Sequence, residues 1–294
     1  MECGAGVCNL CGSGEATPYA EGLPHLVRCS GCGLVRVAQL PGLDRLEQVY
    51  SADYFRNESS HVVGYADYEQ DKSLILRTSH RRLARLEVLR PRRGRLLDIG
   101  CAFGFFLQAA NRRGWEVEGI DLSSHAVDYA RRDLGDDAVR CGQLESAGYE
   151  PASFDLITLW DVVEHFTDPR EKLAYCRELL RDDGLLVLST PDAGSLAARL
   201  TGSHWMGFKL AEEHLYYFSR KTMHAMLERA GFEPVETFQV GKDVALELFA
   251  ARLRLYAPPL AALVERVVRR AGRGRSSVYV NPRDIMCVVA RKRR

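Results

Sequence analysis

The sequence predicts an α/β fold: an open, Rossmann-like sheet with helical additions, preceded by a small cysteine-rich module. Two observations predict the sheet. Apolar runs of strand character alternate with helix-like segments from Arg93 onward, and the first run ends in an acidic residue and a glycine turn. A third observation, two Cys-x-x-Cys pairs near the N-terminus, predicts the module. With 294 residues, the chain is long enough to bury a large core around such a sheet.

The cysteine pairs predict a zinc ribbon over residues 1–40. Cys8 and Cys11 form the first pair, and Cys29 and Cys32 form the second. Four thiolates at this spacing can surround a zinc ion tetrahedrally at about 2.3 Å, which leaves no open position for water, so the predicted zinc is structural. Disulfides and free thiols are the alternatives. The odd total of nine cysteines and the lack of a secretory signal peptide favour zinc.

Residues 41–92 are expected to form a helical cap or linker. Within them, residues 65–89 give a long amphipathic pattern that ends before Pro91. The third segment, residues 93–294, carries the alternating strands and helices and is predicted to be one domain.

The start of that domain predicts a nucleotide pocket. Residues 96–99 indicate a strand, residues 100–104 a glycine turn, residues 105–113 a helix, and residues 117–121 the next strand. In an open parallel sheet, nucleotides bind at the carboxyl ends of the strands. Asp121, which ends the second strand, follows the turn by about twenty residues, the spacing at which a carboxylate can accept the hydrogens of both ribose hydroxyls.

The glycines of the turn distinguish between nucleotides. A dinucleotide site needs G-x-G-x-x-G, but Ala102 and Phe105 stand at the second and third glycine positions, so a pyrophosphate is poorly served. The spacing of Asp98, Gly100 and Gly104 instead resembles the first motif of class I S-adenosylmethionine-dependent methyltransferases. The middle glycine of that family is also replaced by Ala102, which adds little bulk but is expected to bar a positive φ.

This resemblance implies a seven-stranded methyltransferase sheet that binds S-adenosylmethionine. Phe154–Trp160 is similar to the family's fourth strand, residues 161–169 to the loop that follows it, and residues 183–191 to the fifth strand. Gln143 stands where the family often has an acid beside the adenine, so an amide oxygen would bind the exocyclic amine. The implied cofactor-binding residues are Asp98, Gly100, Cys101, Ala102, Gly104, Asp121, Leu122, Gln143, Leu144 and Trp160.

An insertion is predicted near the end of the chain. After a sixth strand near residues 232–240, the family usually continues directly into a seventh, antiparallel strand, which residues 284–291 match best. Here residues 241–283 intervene, with two helical stretches, residues 244–256 and 260–271, split by a Pro-Pro pair. A lid, a dimer contact and a packing element all remain open for this insertion.

The acceptor is predicted to bind at residues 203–219, which follow the fifth strand where substrates approach the methyl group. The Glu-His-Leu…Tyr-Phe-Ser segment there, residues 213–219, resembles that of small-molecule methyltransferases, including zinc-containing deoxysugar C-methyltransferases. The resemblance implies His214 as a general base, oriented by a carboxylate such as Glu213. The sugar enzymes have a tyrosine three residues before the histidine, and this chain has Ala211 there.

Other assignments for the catalytic residues remain open. His165 and Asp161 follow the fourth strand and offer a rival base at the same edge of the sheet. His165 could instead pack at a helix start, where Asp168 is predicted to be the N-cap. His214 could be a buried residue that only shapes the pocket. Three aromatic residues could stack on the acceptor or pack in the core: Trp205, Tyr216 and Tyr217.

Composition narrows the function. The net charge is +1, the arginines are scattered rather than gathered in one stripe, and no apolar run reaches 18 residues. The resemblance implies an enzyme of secondary metabolism that methylates an oxygen or carbon of a small molecule, such as a sugar, and from the composition we expect it to be cytoplasmic, with neither nucleic acid nor membrane as partner. The alternatives are an RNA methyltransferase that binds substrate through the ribbon, and an inactive cofactor-binding protein whose ribbon docks another protein. The lack of an Asn- or Asp-Pro-Pro-aromatic motif after the fourth strand disfavours RNA.

Overall fold

A computed structural model describes residues 6–41, 68–210 and 213–293. The strands in these ranges are β1 (Ala16–Pro18), β2 (Leu26–Cys29), β3 (Val35–Val37), β4 (Arg95–Ile99), β5 (Glu116–Asp121), β6 (Val139–Cys141), β7 (Phe154–Trp160), β8 (Leu180–Pro191), β9 (Tyr216–Tyr217), β10 (Phe232–Gln239), β11 (Lys242–Ala245), β12 (Ser277–Val280) and β13 (Ile285–Lys292). The α-helices are α1 (Lys72–Leu89), α2 (Phe105–Asn111), α3 (Ser124–Leu134), α4 (Pro169–Leu179), α5 (Leu196–Thr201), α6 (Arg220–Arg229), α7 (Leu246–Leu253) and α8 (Pro258–Arg270).

A seven-stranded sheet forms the centre of the molecule, in the order β10-β13-β8-β7-β4-β5-β6. Strands β4 to β8 run parallel to one another, whereas β13 lies antiparallel to both β8 and β10. The predicted Rossmann-like, seven-stranded sheet is therefore confirmed, including its antiparallel last strand.

The central strand β7 shows how the core is built. Its first six residues are all buried, which is typical of a parallel strand with helices on both faces. The charged residue among them, Asp155, lies 2.7 Å from an Arg90 nitrogen and 2.9 Å from an Arg181 nitrogen. These two guanidinium groups compensate the charge of the buried carboxylate, so Asp155 can stand within the otherwise apolar strand β7.

The carboxyl ends of the parallel strands meet at one edge of the sheet, and helices begin there. At α4, the Asp168 side chain accepts a hydrogen bond from the Glu171 main-chain N–H at 3.0 Å, and Pro169 opens the helix. The predicted N-cap is confirmed. His165 lies in a 3-10 turn, Val163–His165, just before this cap.

The N-terminal strands form a second sheet with a strand from far along the chain. The order is β1-β2-β3-β9, all antiparallel, and β9 belongs to the predicted acceptor segment. The pairing continues past β9, since the Val37 N–H donates to the Leu215 carbonyl at 2.9 Å. The cysteine-bearing segment is thus joined directly to the residues that follow His214.

The two helical additions differ in how well their bounds were predicted. Helix α1 begins at Lys72 rather than at residue 65, and residues 42–67 lie outside the described residues. Residues 241–283 contain the two predicted helices and also an antiparallel pair of short strands, β11 and β12, which the sequence did not predict. None of the helices in the described ranges is long and apolar enough to cross a membrane.

Candidate functional site

The glycine turn between β4 and α2 is held in a left-handed conformation. The φ angles are 69° at Gly100, 47° at Ala102 and 70° at Gly104. A Cβ at Gly100 would lie 2.6 Å from a Val162 methyl group, so that position needs glycine for space as well as for φ. The expectation that Ala102 bars a positive φ is wrong: the alanine adopts it, at a cost of about 1–2 kcal/mol.

Asp121 lies against this turn and holds it by hydrogen bonds. One carboxylate oxygen accepts the Ala102 N–H at 2.8 Å, and the other accepts the Ser123 N–H at 2.9 Å. Each oxygen therefore retains a lone pair for one further donor, which suits a ribose diol. Burial raises the pKa of Asp121, and the two main-chain donors oppose that effect.

Asp98, just before the turn, is buried and bonds to the neighbouring strand β7. Its carboxylate accepts the Thr158 hydroxyl at 2.6 Å, and the residue is 2% exposed. Burial raises the pKa of Asp98 to about 7.

The other residues implied for the cofactor lie around the same edge. Leu122 and Gln143 are exposed at the rim, whereas Cys101 and Leu144 are buried. Trp160 is half-buried at the end of β7, packs against Phe106, and carries the Arg82 guanidinium 4.2 Å from its ring centre. The Trp160 indole nitrogen is buried and has no hydrogen-bond partner among the described residues.

Beside this edge lies a cavity of about 420 Å³. Three groups of residues line it: Glu164 and His214 from the two predicted catalytic segments, Trp205 and Met206 from the acceptor segment, and Lys242, Val244, Phe249, Arg252, Leu253 and Tyr256 from the insertion. The insertion therefore forms one wall of the cavity. Most of that wall is apolar, which favours an acceptor with an aromatic or aliphatic body.

His214 and Glu164 are buried at this cavity, and the half-buried His165 lies beside them. The two imidazole rings meet edge to face with their centres 4.8 Å apart. The ligand atoms of all three residues lie within 4.8 Å of one another, and the Leu215 N–H donates to the Glu164 carbonyl at 2.9 Å, which ties the two segments together. Neither carboxyl oxygen of Glu164, nor Nδ1 of His214, has a hydrogen-bond partner among the described residues.

Glu213 contacts this group through its main chain, because its carbonyl lies 2.9 Å from Nδ1 of His165. The carboxyl group that the structure brings to His214 is that of Glu164, which the sequence analysis did not single out. Its position directly before His165 was the available signal. Ala211 and Glu212 lie outside the described residues.

The ionisation of Glu164, His165 and His214 follows from their surroundings. Burial, with a smaller effect from Asp161, raises the pKa of Glu164 to about 8. Burial lowers the pKa of His165 to about 4, and burial followed by the nearby His165 holds that of His214 well below its usual range. Both imidazoles are therefore neutral at pH 7, and a catalytic limb at the ordinary histidine pKa of about 6.5 is not expected.

Asp161, the rival base, is tied into ion pairs. Lys242 Nζ lies 2.7 Å and an Arg82 nitrogen 3.7 Å from one carboxylate oxygen, and the Ser189 hydroxyl donates to the other at 2.8 Å. Burial alone would raise the pKa of Asp161, but Lys242 and Arg82 hold it below its usual range. A carboxylate stabilised in this way is a weak base.

The comparison with known proteins decides the family. A model of the methyltransferase domain matches residues 68–237 of the chain. The chain belongs to this family. The methyltransferase has the class I, S-adenosylmethionine-dependent fold that the glycine turn and Asp121 indicated.

Relatives and solved structures agree with this assignment. A ubiquinone biosynthesis O-methyltransferase of Cereibacter sphaeroides is 29% identical over 151 residues, which are 48% of this chain and 61% of that protein. The mitochondrial one of Schizosaccharomyces pombe is 34% identical over 113 residues, which are 36% of this chain and 41% of that protein. The match thus spans less than two thirds of either relative.

Two structures share the fold at low sequence identity. A SAM-dependent methyltransferase of Archaeoglobus fulgidus superposes with a TM-score of 0.52 at 18% identity, covering 76% of this chain and 99% of that one. The YcgJ protein of Bacillus subtilis superposes with a TM-score of 0.51 at 18% identity, covering 73% of this chain and 99% of that one.

The four ribbon cysteines lie close enough to share one ion. The sulfur atoms of Cys8 and Cys32 are 3.6 Å apart, and those of Cys11 and Cys29 are 3.5 Å apart. A tetrahedron of thiolates with metal–sulfur bonds of about 2.3 Å has edges of about 3.8 Å, so the donor set fits zinc.

The three aromatic residues of the acceptor segment have different surroundings. Trp205 lines the cavity, and its indole nitrogen donates to Asp284 at 3.0 Å. Tyr216 and Tyr217 form β9 and are buried, with the Tyr216 hydroxyl donating to the Thr167 carbonyl at 3.0 Å. The structure thus brings Trp205 to the cavity and places the two tyrosines in the interface with the ribbon sheet.

Proposed function

We propose that this methyltransferase transfers the methyl group of S-adenosylmethionine to a hydroxyl oxygen of a small molecule with an apolar body, and that His214 is the general base. The observation that carries the proposal is the cluster of Glu164, His165 and His214, of which Glu164 and His214 line a largely apolar cavity. A largely apolar cavity suits a small molecule better than RNA, which needs an open basic surface. The O-methyltransferase relatives support oxygen over carbon, and the apolar lining supports a secondary metabolite over an unsubstituted sugar.

The cofactor would be held by the edge of β4, β5 and β7. Asp121 would accept the two ribose hydroxyls, and Leu122 and Gln143 lie at the rim where an adenine would rest. S-adenosylmethionine, when bound, supplies a methyl group already activated on a sulfonium. The chain's own work is then to align the acceptor and to remove its proton.

His214 is suited to remove that proton. It is neutral at pH 7, so a ring nitrogen can accept the hydroxyl hydrogen while the oxygen forms its bond to carbon. The resulting imidazolium would be buried, and the Glu164 carboxyl is the group placed to stabilise it. Glu164 is then a positioning residue, and Asp161 keeps its ion pairs throughout.

Turnover of the His214→Ala variant tests the proposal. A general base contributes about 10²- to 10⁴-fold, so we expect turnover to fall by that factor while S-adenosylmethionine affinity, measured by titration calorimetry, stays unchanged. His204→Ala is the matched control, since His204 lies in the same segment and is exposed. A panel of phenols and catechols, with product masses recorded, identifies the acceptor. If His214→Ala keeps its turnover, His214 only shapes the pocket.

A divalent cation is the other candidate for this group, because its three ligand atoms lie within 4.8 Å of one another. Dialysis against a chelator distinguishes the two. Activity that survives dialysis supports the proton transfer, whereas activity that is lost while one zinc per chain is retained, and that manganese or iron(II) restores, supports a metal at this group.

We also propose that one zinc ion is bound by Cys8, Cys11, Cys29 and Cys32 and has a structural role. The sulfur distances and the closed set of four thiolates support this. The ribbon at residues 1–40, the cap at 41–92 and the catalytic domain at 93–294 remain our proposed division of the chain.

A further inference from the structure

Helix α8 of the insertion leaves an apolar stripe exposed. Among its thirteen residues only Ala261 is buried. Leu260, Leu263 and Val267 are 50%, 56% and 58% exposed, and their i, i+3, i+7 spacing places them on one face. Such a row is longer than the scattered single apolar residues of an ordinary surface.

The same segment concentrates positive charge. Residues 252–275 contain seven arginines and one acidic residue, Glu265, in a chain whose net charge is only +1. Arg254 is paired with Glu265 at 2.7 Å. Four others are exposed and have no ion-pair partner among the described residues: Arg266, Arg269, Arg270 and Arg273. At 100° per residue, Arg266 and Arg270 lie along one border of the apolar stripe.

We propose that α8 lies on the surface of an anionic membrane, with Leu260, Leu263 and Val267 inserted among the acyl chains and the arginines at the lipid headgroups. An exposed apolar face bordered by arginines, on a helix of low mean hydropathy, is the pattern of an interfacial helix. Charge decides between the possible occupants. If a second copy of the chain bound here, the seven arginines of one copy would face the seven of the other. If a nucleic acid bound here, the apolar stripe would have no partner. The sequence led us to expect no membrane partner, because no apolar run is long enough to span one, and this proposal departs from that expectation with a contact that does not span.

Helix α8 lies close to the cavity, so membrane contact would bring the cavity opening near the lipid. Helix α7 is anchored by the buried Leu248 and Ala250, and the chain then passes Leu253 and Tyr256, which line the cavity, before α8 begins. Tyr256 is itself 47% exposed. The cavity therefore opens next to the surface that would meet the lipid. Entry of a lipid-dissolved acceptor by this route rests on the proposed function, whereas membrane binding does not.

Co-sedimentation with lipid vesicles tests the proposal on the full chain. We expect binding to vesicles of phosphatidylcholine with phosphatidylglycerol and little binding to phosphatidylcholine alone. Each arginine near an anionic surface contributes about fivefold in partition coefficient, so Arg266→Gln with Arg270→Gln should reduce binding roughly 25-fold. The matched control is Arg92→Gln with Arg112→Gln, two exposed arginines on other elements.

The apolar stripe is tested in the same assay. Leu263→Ser with Val267→Ser should reduce binding roughly tenfold or more, whereas Val88→Ser with Val235→Ser, which are also exposed, should not. Circular dichroism and cofactor titration confirm that the variants are folded.

Three outcomes would overturn the proposal. One is equal binding of the stripe variant and the wild type. Another is vesicle binding that is unchanged in the variant with Arg266→Gln and Arg270→Gln. The third is a dimer, measured by light scattering, that the stripe variant dissociates while neither protein binds vesicles, which would assign α8 to self-association. Methyl transfer to a soluble acceptor should be unchanged in all four variants, so a failed vesicle assay leaves the proposed function standing.

Discussion

The cofactor edge and the acceptor cavity lie side by side but are assembled differently. The central part of the cofactor edge comes from one stretch of chain, in which the turn after β4 and Asp121 at the end of β5 are joined by the hydrogen bond from the Ala102 N–H to the Asp121 carboxylate. The cavity takes Glu164, His214, Lys242 and Tyr256 from separate segments, one of which pairs with the ribbon sheet. The difference means that the cavity can lose its catalytic group while the cofactor edge stays intact.

Loss of zinc is expected to have the largest effect on turnover. It should disrupt the acceptor cavity and leave the cofactor edge intact. Cys29→Ser is expected to release the metal and unfold the ribbon sheet, because structural zinc sites supply folding free energy directly. Strand β9 then loses its partner β3, and His214, two residues before β9, loses its position. Turnover should fall by at least the factor of about 10²–10⁴ that a general base contributes.

Calorimetry with S-adenosylmethionine is the deciding measurement for Cys29→Ser. Its affinity should stay within about twofold of the wild type, since no residue of the cofactor edge comes from the ribbon. Cys141→Ser, an exposed cysteine outside the cluster, is the control. Simultaneous loss of cofactor binding would show that the two regions fold as one unit.

Asp121→Ala is expected to have the opposite effect: it should weaken cofactor binding and leave the acceptor cavity intact. A hydrogen bond to a charged group contributes about 1.5–3 kcal/mol, and Asp121 would accept two of them, so S-adenosylmethionine should bind at least roughly 150-fold more weakly. At saturating cofactor, turnover should recover, because His214 and Glu164 are untouched. Unchanged affinity, or turnover that stays low at saturation, would contradict the role assigned to this carboxylate.

The pH dependence of turnover tests the role proposed for Glu164 in the acceptor cavity. The Glu164 carboxylate, not the acid, stabilises an imidazolium, and its pKa of about 8 means that about a tenth is ionised at pH 7. Turnover should therefore rise about tenfold between pH 7 and pH 9. Glu164→Gln should flatten this rise while cofactor affinity stays unchanged.

A rise that persists in Glu164→Gln would assign the titration to another group, such as the acceptor hydroxyl. Comparing two acceptors of different hydroxyl pKa identifies that case.

The smallest expected effect concerns the glycine turn. Ala102→Gly should relieve the strain of φ 47° and raise the free energy of unfolding by roughly 1 kcal/mol, measured by urea denaturation. Cofactor affinity should be equal or better. Ala152→Gly is a control for backbone effects away from the site, since Ala152 also has a positive φ, of 49°. A loss of stability in Ala102→Gly would show that the methyl group packs usefully in the turn.

The sequence predicted the parts of the molecule that depend on local pattern. Strand β7 was predicted to its last residue, because a central parallel strand is a continuous apolar run bounded by polar residues. The Asp168 cap was predicted for a similar reason, since the side chain bonds a main-chain group only three residues away.

The cavity was only partly predictable because its contacts join distant residues. Strands β9 and β11 have two and four residues, too short for a periodic pattern, and exist through pairing with β3 and β12. Glu164 is visible beside His165 in the sequence, but its approach to His214 depends on the hydrogen bond between the Glu164 carbonyl and Leu215. The conformation of Ala102 was mispredicted because residue preference was given more weight than the geometry of the turn.

The insertion at residues 241–283 leaves the sheet and returns to it at nearly the same point. Its flanking strands β10 and β13 are neighbours, and the Val240 N–H donates to the Ile285 carbonyl at 3.0 Å across the gap. A segment whose two ends are joined in this way can be exchanged without lengthening or re-threading the sheet. Replacing it with a segment of different sequence would give the enzyme a different cavity wall, and we therefore expect a different choice of acceptor, while the proposed base His214 keeps its place.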